Sequence, residues 1–175
     1  VVVTGGEPTS HKQLDAFLAL LKDTGIVVRL DTNGTNPQAI KDLIARKLLD
    51  CIAMDIKSPL HKAKYELVSG VPCNIEDIEK SIRIIMESGI EYEFRTTVCP
   101  SQLDGDDIEE IARTIEGARR YILQGFRPNH CLDSKMLKIE PYPVETLRGF
   151  ASCAGKYVDY CCVRGEEGMV LQRNW

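Results

Sequence analysis

The sequence lacks the features that mark several common classes of protein. No apolar run approaches the length of a membrane span, and no signal-peptide pattern is present. There is also no basic stripe or arginine-rich run, and 22 basic against 26 acidic residues give a net charge of −4. We therefore expect neither a membrane nor a nucleic acid as a partner, and we predict a cytoplasmic location.

Paired cysteine motifs are missing as well. The seven cysteines are odd in number and irregularly spaced, and they include no C-x-x-C pair. This pattern argues against a disulfide framework, a zinc knuckle and a thioredoxin-type motif. Cys51, Cys161 and Cys162 lie in apolar, strand-like runs, which predicts buried structural thiols.

The chain does not begin with methionine, and no residues precede its first apolar run. It opens directly on Val1-Val2-Val3, three β-branched residues typical of a strand buried on both faces. We expect from this opening that the chain is a fragment whose true N-terminus lies upstream.

Alternating strand and helix patterns fill most of the 175 residues. Apolar runs predict strands at 1–3, 26–30, 51–56, 91–98, 121–126 and 157–164. Between them, helices are predicted at 10–23, from 36 to about 49, at 74–89, 104–117 and 143–154, with a short helical segment through Tyr65. Ser10, Asn36 and Asn74 are the predicted helix caps, and the first helix should bury Leu14, Phe17, Leu18 and Leu21.

This alternation predicts right-handed βαβ units and a parallel sheet. Residues 130–142 are predicted to form a loop and residues 165–175 a tail. The three histidines fit solvated positions better than catalytic or metal-binding ones. His130, near the fifth predicted strand end and Cys131, is the most interesting of them.

The loop after the first strand, Gly5-Gly6-Glu7-Pro8, has unusual backbone chemistry. Glycine lets a chain turn sharply or approach a ligand closely, and Pro8 disfavours an α conformation at Glu7. A carboxylate is thus held in an extended loop at the carboxyl end of a strand, where parallel α/β folds bind ligands. Taken alone, an ordinary glycine-rich loop explains the segment equally well.

Four further predicted strands also end in polar or glycine-bearing residues. In a parallel, barrel-like sheet these ends would converge on one rim. Asp31 and Asp55 would then repel each other unless a cation or a hydrogen-bond donor lay between them. The segments are Asp31-Thr32-Asn33-Gly34, Asp55 with Lys57, Arg95 with Thr97, and Gln124. For Asp55 and Lys57, an exposed ion pair is the alternative.

These segments resemble motifs of radical S-adenosylmethionine (SAM) enzymes. Gly5-Gly6-Glu7-Pro8 resembles the GGEP motif, and three more follow in the order of the glycyl-radical activating branch: Asp31-Thr32-Asn33-Gly34, Met54-Asp55-Ile56-Lys57 and Arg95-Thr96-Thr97-Val98-Cys99-Pro100. The resemblance is to anaerobic ribonucleoside-triphosphate reductase activating proteins and pyruvate formate-lyase activating enzymes, over residues 1 to 128. It implies an α/β fold, a partial (β/α)6 radical SAM barrel without its first βα unit and cluster loop, forming a single domain of residues 1–175.

The resemblance implies a role for each matched residue. Gly5, Gly6 and Glu7 would meet the amino group of the SAM methionyl moiety. A monovalent cation near the SAM carboxylate would be held by Asp31, Thr32, Met54 and Asp55. The SAM carboxylate and ribose would lie beside Lys57 and Arg95, and the adenosine would lie beside Thr97 and Gln124.

The resemblance also implies a [4Fe–4S] cluster bound by C-x3-C-x2-C, a motif that would lie upstream of Val1. None of the seven cysteines has that spacing, so no cluster ligand is assigned here and the fragment is expected to be inactive. In the whole protein, an electron from a donor such as flavodoxin or ferredoxin would cleave SAM to a 5′-deoxyadenosyl radical. That radical would take hydrogen from a glycine of a partner enzyme, for which anaerobic ribonucleotide reductase is the first choice.

Two other interpretations stay open at this point. One is a SAM-binding or partner-docking module without radical chemistry, which only the upstream residues would distinguish. The other is an unrelated barrel fragment that binds a phosphorylated metabolite at the same rim. It requires a glycine-rich phosphate loop at the late strands, and Gln124-Gly125-Phe126 is a poor one.

Overall fold

The computed structural model describes residues 1–128 and 134–165. Its strands are β1 (Val2–Val3), β2 (Arg29–Thr32), β3 (Cys51–Asp55), β4 (Glu91–Val98), β5 (Tyr121–Gly125) and β6 (Cys161–Val163). Its helices are α1 (Leu14–Asp23), α2 (Pro37–Ala45), α3 (Lys62–Ser69), α4 (Ile75–Glu87), α5 (Gly105–Thr114) and α6 (Val144–Ala154). Short 3-10 turns cover Pro8–Ser10 and Ser134–Lys138. In this part of the chain no helix is long and apolar enough to cross a membrane.

The strands form one sheet in the order β1-β2-β3-β4-β5-β6, which confirms the predicted α/β fold with parallel strands. Across the described residues the sheet is open, with β1 and β6 at its edges. The chain divides into two compact units, one of Val1–Ile56 with Leu60–Phe94, the other of Lys57–Pro59 with residues from Arg95 onward. A single domain over residues 1–175 stays a prediction.

In the first unit, strand register decides which side chains enter the core. β1 pairs with β2 through Val2↔Arg29, and β2 pairs with β3 from Arg29↔Cys51 to Thr32↔Met54. Since side chains alternate along a strand, one face of β2 and β3 presents apolar residues to the helices. The fully or nearly fully buried members of this core include Leu18, Leu30, Ile40, Ile52, Met54 and Ile78.

The second unit is built from β5, β6, α5 and α6. β5 and β6 pair in parallel with Tyr121↔Cys161 in register. The Tyr121 ring is fully buried, and its hydroxyl donates to Thr96 Oγ1 at 2.8 Å. Burial raises the pKa of Tyr121 far above its ordinary value, so the hydroxyl keeps the proton that it donates.

Asparagine caps are confirmed at two helix starts. Asn36 Oδ1 accepts from Ala39 N at the start of α2, and Asn74 Oδ1 accepts from Glu76 N at the start of α4. The cap predicted at Ser10 is wrong, because α1 begins only at Leu14. Glu7 accepts from Thr9 N and starts a 3-10 turn there instead.

The predicted first helix face is only partly right. Leu14 and Leu18 are buried, but the Phe17 side chain is 49% exposed. Helical periodicity identifies an apolar stripe, yet the neighbouring strand decides how much of that stripe is covered. Here the neighbouring edge strand, β1, has only two residues.

Several predicted element ends are wrong. The second strand begins at Arg29 rather than Ile26, because its parallel partner β1 begins at Val2, opposite Arg29. Ile26 and Val27 lie ahead of this pairing and are exposed, with Val27 O accepting from Val1 N at 2.7 Å. The sixth strand is Cys161–Val163 rather than 157–164. α2 ends at Ala45 and α5 at Thr114, ahead of the predicted ends near 49 and 117.

Of the predicted buried thiols, Cys51 is buried, whereas Cys161 and Cys162 are half-buried. His130, Cys131 and the tail beyond residue 165 lie outside the described residues.

Candidate functional site

Glu7 makes the main hydrogen bonds of the first motif, Gly5-Gly6-Glu7-Pro8. Its backbone is extended at φ −144° and ψ 106°, as expected for a residue before Pro8. Its carboxylate accepts four hydrogen bonds: Oε1 from Thr9 N at 3.0 Å, Thr9 Oγ1 at 2.6 Å and Thr32 Oγ1 at 2.8 Å, and Oε2 from Asn33 N at 2.7 Å. The motif after β1 is therefore attached to the carboxyl end of β2.

The two glycines before Glu7 leave open backbone. Gly5 has φ +147°, a conformation that residues with a side chain rarely adopt. A Cβ atom at Gly5 or at Gly6 would meet nothing within 4 Å. The peptide groups of this loop are thus accessible to a ligand, as close backbone approach requires.

The second motif, Asp31-Thr32-Asn33-Gly34, is constrained from the helix side. Gly34 has φ +77°, and a Cβ there would overlap the end of the Met54 side chain. Ser81 Oγ on α4 donates to Gly34 O at 2.7 Å. The Thr32 hydroxyl donates to Glu7 and accepts from Gly34 N at 3.1 Å, so it is committed within the protein.

Asp31 belongs to an ion cluster on the other face of the sheet. Arg29 Nε donates to Asp31 Oδ1 at 2.7 Å, and Arg29 Nη2 donates to Glu93 Oε1 at 3.0 Å. Only 2% of the Glu93 side chain is exposed and 15% of Asp31. A cation or hydrogen-bond donor was expected near the aspartates at the strand ends, and Arg29 is such a donor for Asp31.

Strand register brings the two predicted aspartates to the same face. Asp31 pairs with Ala53, and Asp55 lies two residues beyond Ala53 on β3, so both carboxylates project from one side. The next pair, Thr32↔Met54, projects from the opposite side. Paired strands thus bring together the first three sequence-predicted segments.

These residues offer a cation mainly oxygen atoms. Asp31 and Asp55 have carboxylates on one side of the sheet, of which Asp31 Oδ1 already accepts from Arg29 Nε, and Thr32 and Met54 add backbone carbonyls from the paired strands. The side chains of Thr32 and Met54 are otherwise engaged, Thr32 by hydrogen bonds and Met54 by burial against Gly34. Oxygen donors of this kind suit a hard cation.

The remaining predicted residues belong to the second unit. Arg95 is 9% exposed on β4, and the Thr97 hydroxyl lies 3.5 Å from Gln124 Oε1. Lys57 follows β3 and is half-buried. Thr97 and Gln124 line a cavity of about 680 Å³ together with Gly125, Phe126, Arg127, Pro141, Tyr142, Val144, Leu147, Val163 and Arg164.

Tyr142 also lines this cavity, although the sequence did not indicate it. Its hydroxyl donates to Leu103 O at 3.2 Å, and its ring packs edge-on against Phe150. Burial raises the pKa of the Tyr142 phenol, so it remains a neutral hydrogen-bond donor. The surface is mostly apolar with a few polar groups, as in cavities that bind a flat organic ring.

Arg29 and Glu93 were not predicted as part of the site from the sequence. A signal was present, because Arg29 lies two residues before Asp31 and Glu93 two residues before Arg95. A period of two places each pair on one face of a strand. Their mutual contact spans 64 residues and could not be read from local pattern.

The described residues do not provide ligands for an iron–sulfur cluster. No group of three or more His, Cys, Asp or Glu side chains in residues 1–128 and 134–165 could hold a metal ion. The six cysteines in those ranges, Cys51, Cys73, Cys99, Cys153, Cys161 and Cys162, are free thiols.

Both a family profile and a sequence relative relate this chain to radical SAM proteins or to glycyl-radical enzyme activation. The profile of the Radical SAM superfamily matches residues 1–116. A Methanocaldococcus jannaschii protein, provisionally named a glycyl-radical enzyme activating enzyme, is 37% identical over 96% of this chain and 71% of its own length.

Two solved structures share the fold. A domain of pyruvate-formate lyase-activating enzyme from Bacteroides vulgatus superposes with a TM-score of 0.75 at 20% identity, covering 94% of this chain and 98% of that one. SuiB of Streptococcus suis bound to S-adenosylmethionine gives 0.71 at 15% identity, covering all of this chain and 42% of that one.

Proteins of the matched superfamily combine SAM with a [4Fe–4S] cluster. The profile covers most of the strand ends described above, and the relative is similar along nearly the whole chain. The chain belongs to the radical SAM superfamily.

Proposed function

We propose that this chain is the SAM-binding part of an enzyme that activates a glycyl-radical enzyme. The observation that carries the proposal is the succession of Glu7, Asp31 and Asp55 at the carboxyl ends of three consecutive paired strands. The glycyl-radical activating name of the Methanocaldococcus jannaschii relative supports this choice within the superfamily.

Each part of SAM has proposed contacts. Gly5, Gly6 and Glu7 contact the methionyl amine, and the space beside both glycines is open, since a Cβ there would meet nothing within 4 Å. Asp31, Thr32, Met54 and Asp55 hold a monovalent cation beside the methionyl carboxylate, using the oxygens identified above. The other proposed contacts are Lys57 and Arg95 to the carboxylate and ribose, and Thr97 and Gln124 to the adenosine.

Bound SAM would supply a 5′-deoxyadenosyl radical, because one electron from the cluster of the whole protein would cleave its S–C5′ bond and release methionine, and the radical would take a hydrogen atom from a glycine of the partner. The residues of this chain bind and orient SAM, and the cavity beside Gln124 shields its adenosine from water. Since none of the seven cysteines in the sequence has the C-x3-C-x2-C spacing, we propose that residues 1–175 are inactive by themselves.

The proposed partner is an anaerobic ribonucleoside-triphosphate reductase, and the proposed electron donor is a flavodoxin or ferredoxin. Both follow from the resemblance of the four motifs to reductase-activating proteins. A cytoplasmic location fits the free thiols of the described cysteines, since reducing compartments preserve them.

Binding and radical formation test the proposal at two levels. Isothermal titration calorimetry of the purified chain with SAM should show one site per chain. The whole protein, supplied with reduced flavodoxin, SAM and the reductase, should release 5′-deoxyadenosine and give a glycyl-radical signal in electron paramagnetic resonance. SAM binding without 5′-deoxyadenosine would favour the non-catalytic module, and absence of SAM binding would refute the proposal altogether.

A C-x3-C-x2-C motif within about sixty residues upstream of Val1 is a second check, because one βα unit fits in that length. A natural sequence without such a motif would contradict the enzymatic part of the proposal.

A further inference from the structure

The cavity of the second unit carries positive charge that an adenosine does not require. Its described lining residues include two arginines, Arg127 and Arg164, and none of them is an aspartate or a glutamate. This part of the surface is therefore positive, although the chain as a whole has a net charge of −4. Adenosine is neutral and the sulfonium of SAM is itself positive, so neither gains from two guanidinium groups close by.

Strand pairing places Arg164 beside Gln124. β5 and β6 pair in parallel with Leu123↔Val163 in register, and Arg164 N donates to Leu123 O at 2.8 Å, so the ladder continues to Arg164. Gln124 and Arg164 are each one residue further along, and they therefore occupy neighbouring positions on the same face. Arg164 is half-buried, and Arg127 follows the end of β5. Both arginines lie at the carboxyl ends of parallel strands, where α/β folds bind ligands.

Aromatic rings on the same cavity provide a surface for a base. The Phe126 side chain is 8% exposed, and the Tyr142 ring packs edge-on against Phe150. Asp104 and Asp107 add to the raised pKa of the Tyr142 phenol, but they cap the start of α5, where each accepts the backbone N–H of the other. The volume of about 680 Å³ is in the range of cavities that enclose a small organic ligand.

Arginine is well suited to an anion that has several oxygen atoms. Its planar guanidinium has five N–H donors and binds phosphate oxygens in pairs. Arg127 and Arg164 can therefore keep contacts within the protein and still donate to a ligand. Because side chains supply these donors, phosphate binding here does not depend on a glycine-rich loop at Gln124-Gly125-Phe126.

We propose that this cavity also binds adenine nucleotides, with the base against Phe126 and Tyr142 and the phosphates on Arg127 and Arg164. A bound nucleotide occupies the place of the SAM adenosine and so competes with SAM. The competition rests on the proposed function, whereas nucleotide binding by itself does not. Through this competition, the fraction of the protein that holds SAM falls as the nucleotide concentration rises.

Three probes separate the parts of the ligand: ATP, adenosine and inorganic tripolyphosphate. Calorimetry of the purified chain should show one ATP per chain, bound about tenfold more tightly than adenosine or tripolyphosphate, because only ATP uses both the rings and the arginines. In competition titrations, ATP should raise the apparent Kd of SAM in proportion to its own occupancy.

Arg127→Gln and Arg164→Gln test the phosphate contacts. Each change should weaken ATP about tenfold and adenosine less than about twofold, because it removes a charged donor but leaves the aromatic surface. Arg83→Gln and Arg148→Gln are matched controls, since both arginines pair with a glutamate of their own helix outside this cavity, and neither should alter ATP affinity.

Tyr142→Leu tests the base contact and should weaken ATP and adenosine together, each about threefold or more, as expected for the loss of a stacking surface. Arg127 is exposed, so Arg127→Gln keeps the test open even if Arg164→Gln folds poorly.

Equal affinity for ATP and tripolyphosphate would overturn the inference, because it would show that the arginines bind an anion without recognising the base. Normal ATP affinity in both Arg→Gln variants would overturn it as well, and so would ATP that binds without displacing SAM. A chain that binds ATP but not SAM would refute the proposed function and leave the nucleotide site intact, so the two failures are distinguishable.

Discussion

The strand ends of the two units are built differently. In the first unit, Glu7, Thr32, Asp31 and Arg29 form dense hydrogen bonds around the ends of β1 and β2. In the second, β5 and β6 end beside a cavity of about 680 Å³ lined mostly by apolar groups. The proposed function uses this contrast, since a charged amino acid group needs fixed polar partners whereas a flat adenosine needs an apolar surface.

The largest effect is expected for a substitution at Gly34, which tests how tightly the first unit is packed. Gly34 and Gly89 both have φ near +75°, but only Gly34 has Met54 where a Cβ would lie. We expect Gly34→Ala to lower the free energy of unfolding by about 3 kcal/mol and Gly89→Ala by about 1 kcal/mol, since both share the backbone cost and one adds overlap. Urea unfolding followed by circular dichroism measures the difference. Equal losses of unfolding free energy in the two variants would show that the Met54 side chain can move aside without destabilising the fold.

The next variant, Arg29→Met, removes the donor shared by Asp31 and the buried Glu93. We expect a loss of about 2–3 kcal/mol in unfolding free energy, because breaking a buried ion pair leaves charge without its compensation. Arg46→Met is the control: its ion pair with Asp15 is about half exposed, and such pairs contribute at most about 1 kcal/mol. Similar losses in the two variants would contradict the role given to Arg29.

Asp55→Ala tests the methionyl side by binding. Removing one of the two carboxylates on the same strand face should weaken SAM binding about tenfold, roughly 1.4 kcal/mol. Binding of 5′-deoxy-5′-methylthioadenosine (methylthioadenosine), which has the same adenosine but no amine or carboxylate, should weaken much less. His61→Ala, which changes an exposed residue just before α3, should alter SAM affinity less than about twofold. Equal effects of the two changes would refute the assignment of Asp55 to the site.

Gln124→Ala tests the adenosine side. This residue lines the cavity, so we expect SAM and methylthioadenosine to weaken together, each by about threefold, the loss of a modest hydrogen bond. Gln38→Ala on the exposed surface of α2 is the control and should change neither. A loss confined to SAM would show that the two units do not divide the ligand as proposed.

The smallest effect concerns pH. Burial alone would raise the pKa of Asp50, but hydrogen bonds from Lys22 and Val28 N outweigh it and hold that pKa below its ordinary 3.8. A carboxylate with a lowered pKa stabilises the fold above about pH 4, and this contribution fades as acid protonates it. Between pH 5 and pH 3, unfolding free energy should therefore fall less steeply in Lys22→Met than in the wild type. Parallel curves would contradict this.

Much of the fold was predictable because the signals are local. Two asparagine caps, the helix stripes and the β-branched runs each depend on residues within one or two turns, and the structure confirms them at Asn36 and Asn74. The ends of β2 and the exposure of Phe17 were mispredicted, because both depend on how long the neighbouring strand is. No periodicity within the element carries that information.

For the candidate site, the sequence predicted which residues belong to it but not how they are connected. Glu7, Asp31 and Asp55 were singled out from glycine, proline and polar residues at strand ends, and β2–β3 pairing brings the two aspartates to one face. Arg29 and Glu93 were missed, since each is an ordinary charged residue until the sheet pairs them.

By itself, the sequence determined the alternation of strands and helices, the order of the motifs and with these the superfamily, because periodicity and motif spacing are properties of the chain. Only the tertiary structure decided that the Glu7 carboxylate turns to Thr32 and Asn33, and that Arg29 bridges Asp31 and Glu93. The physical reason is that hydrogen-bond partners are chosen by distance in space. Residues 25 or 64 positions apart become neighbours only when parallel strands align.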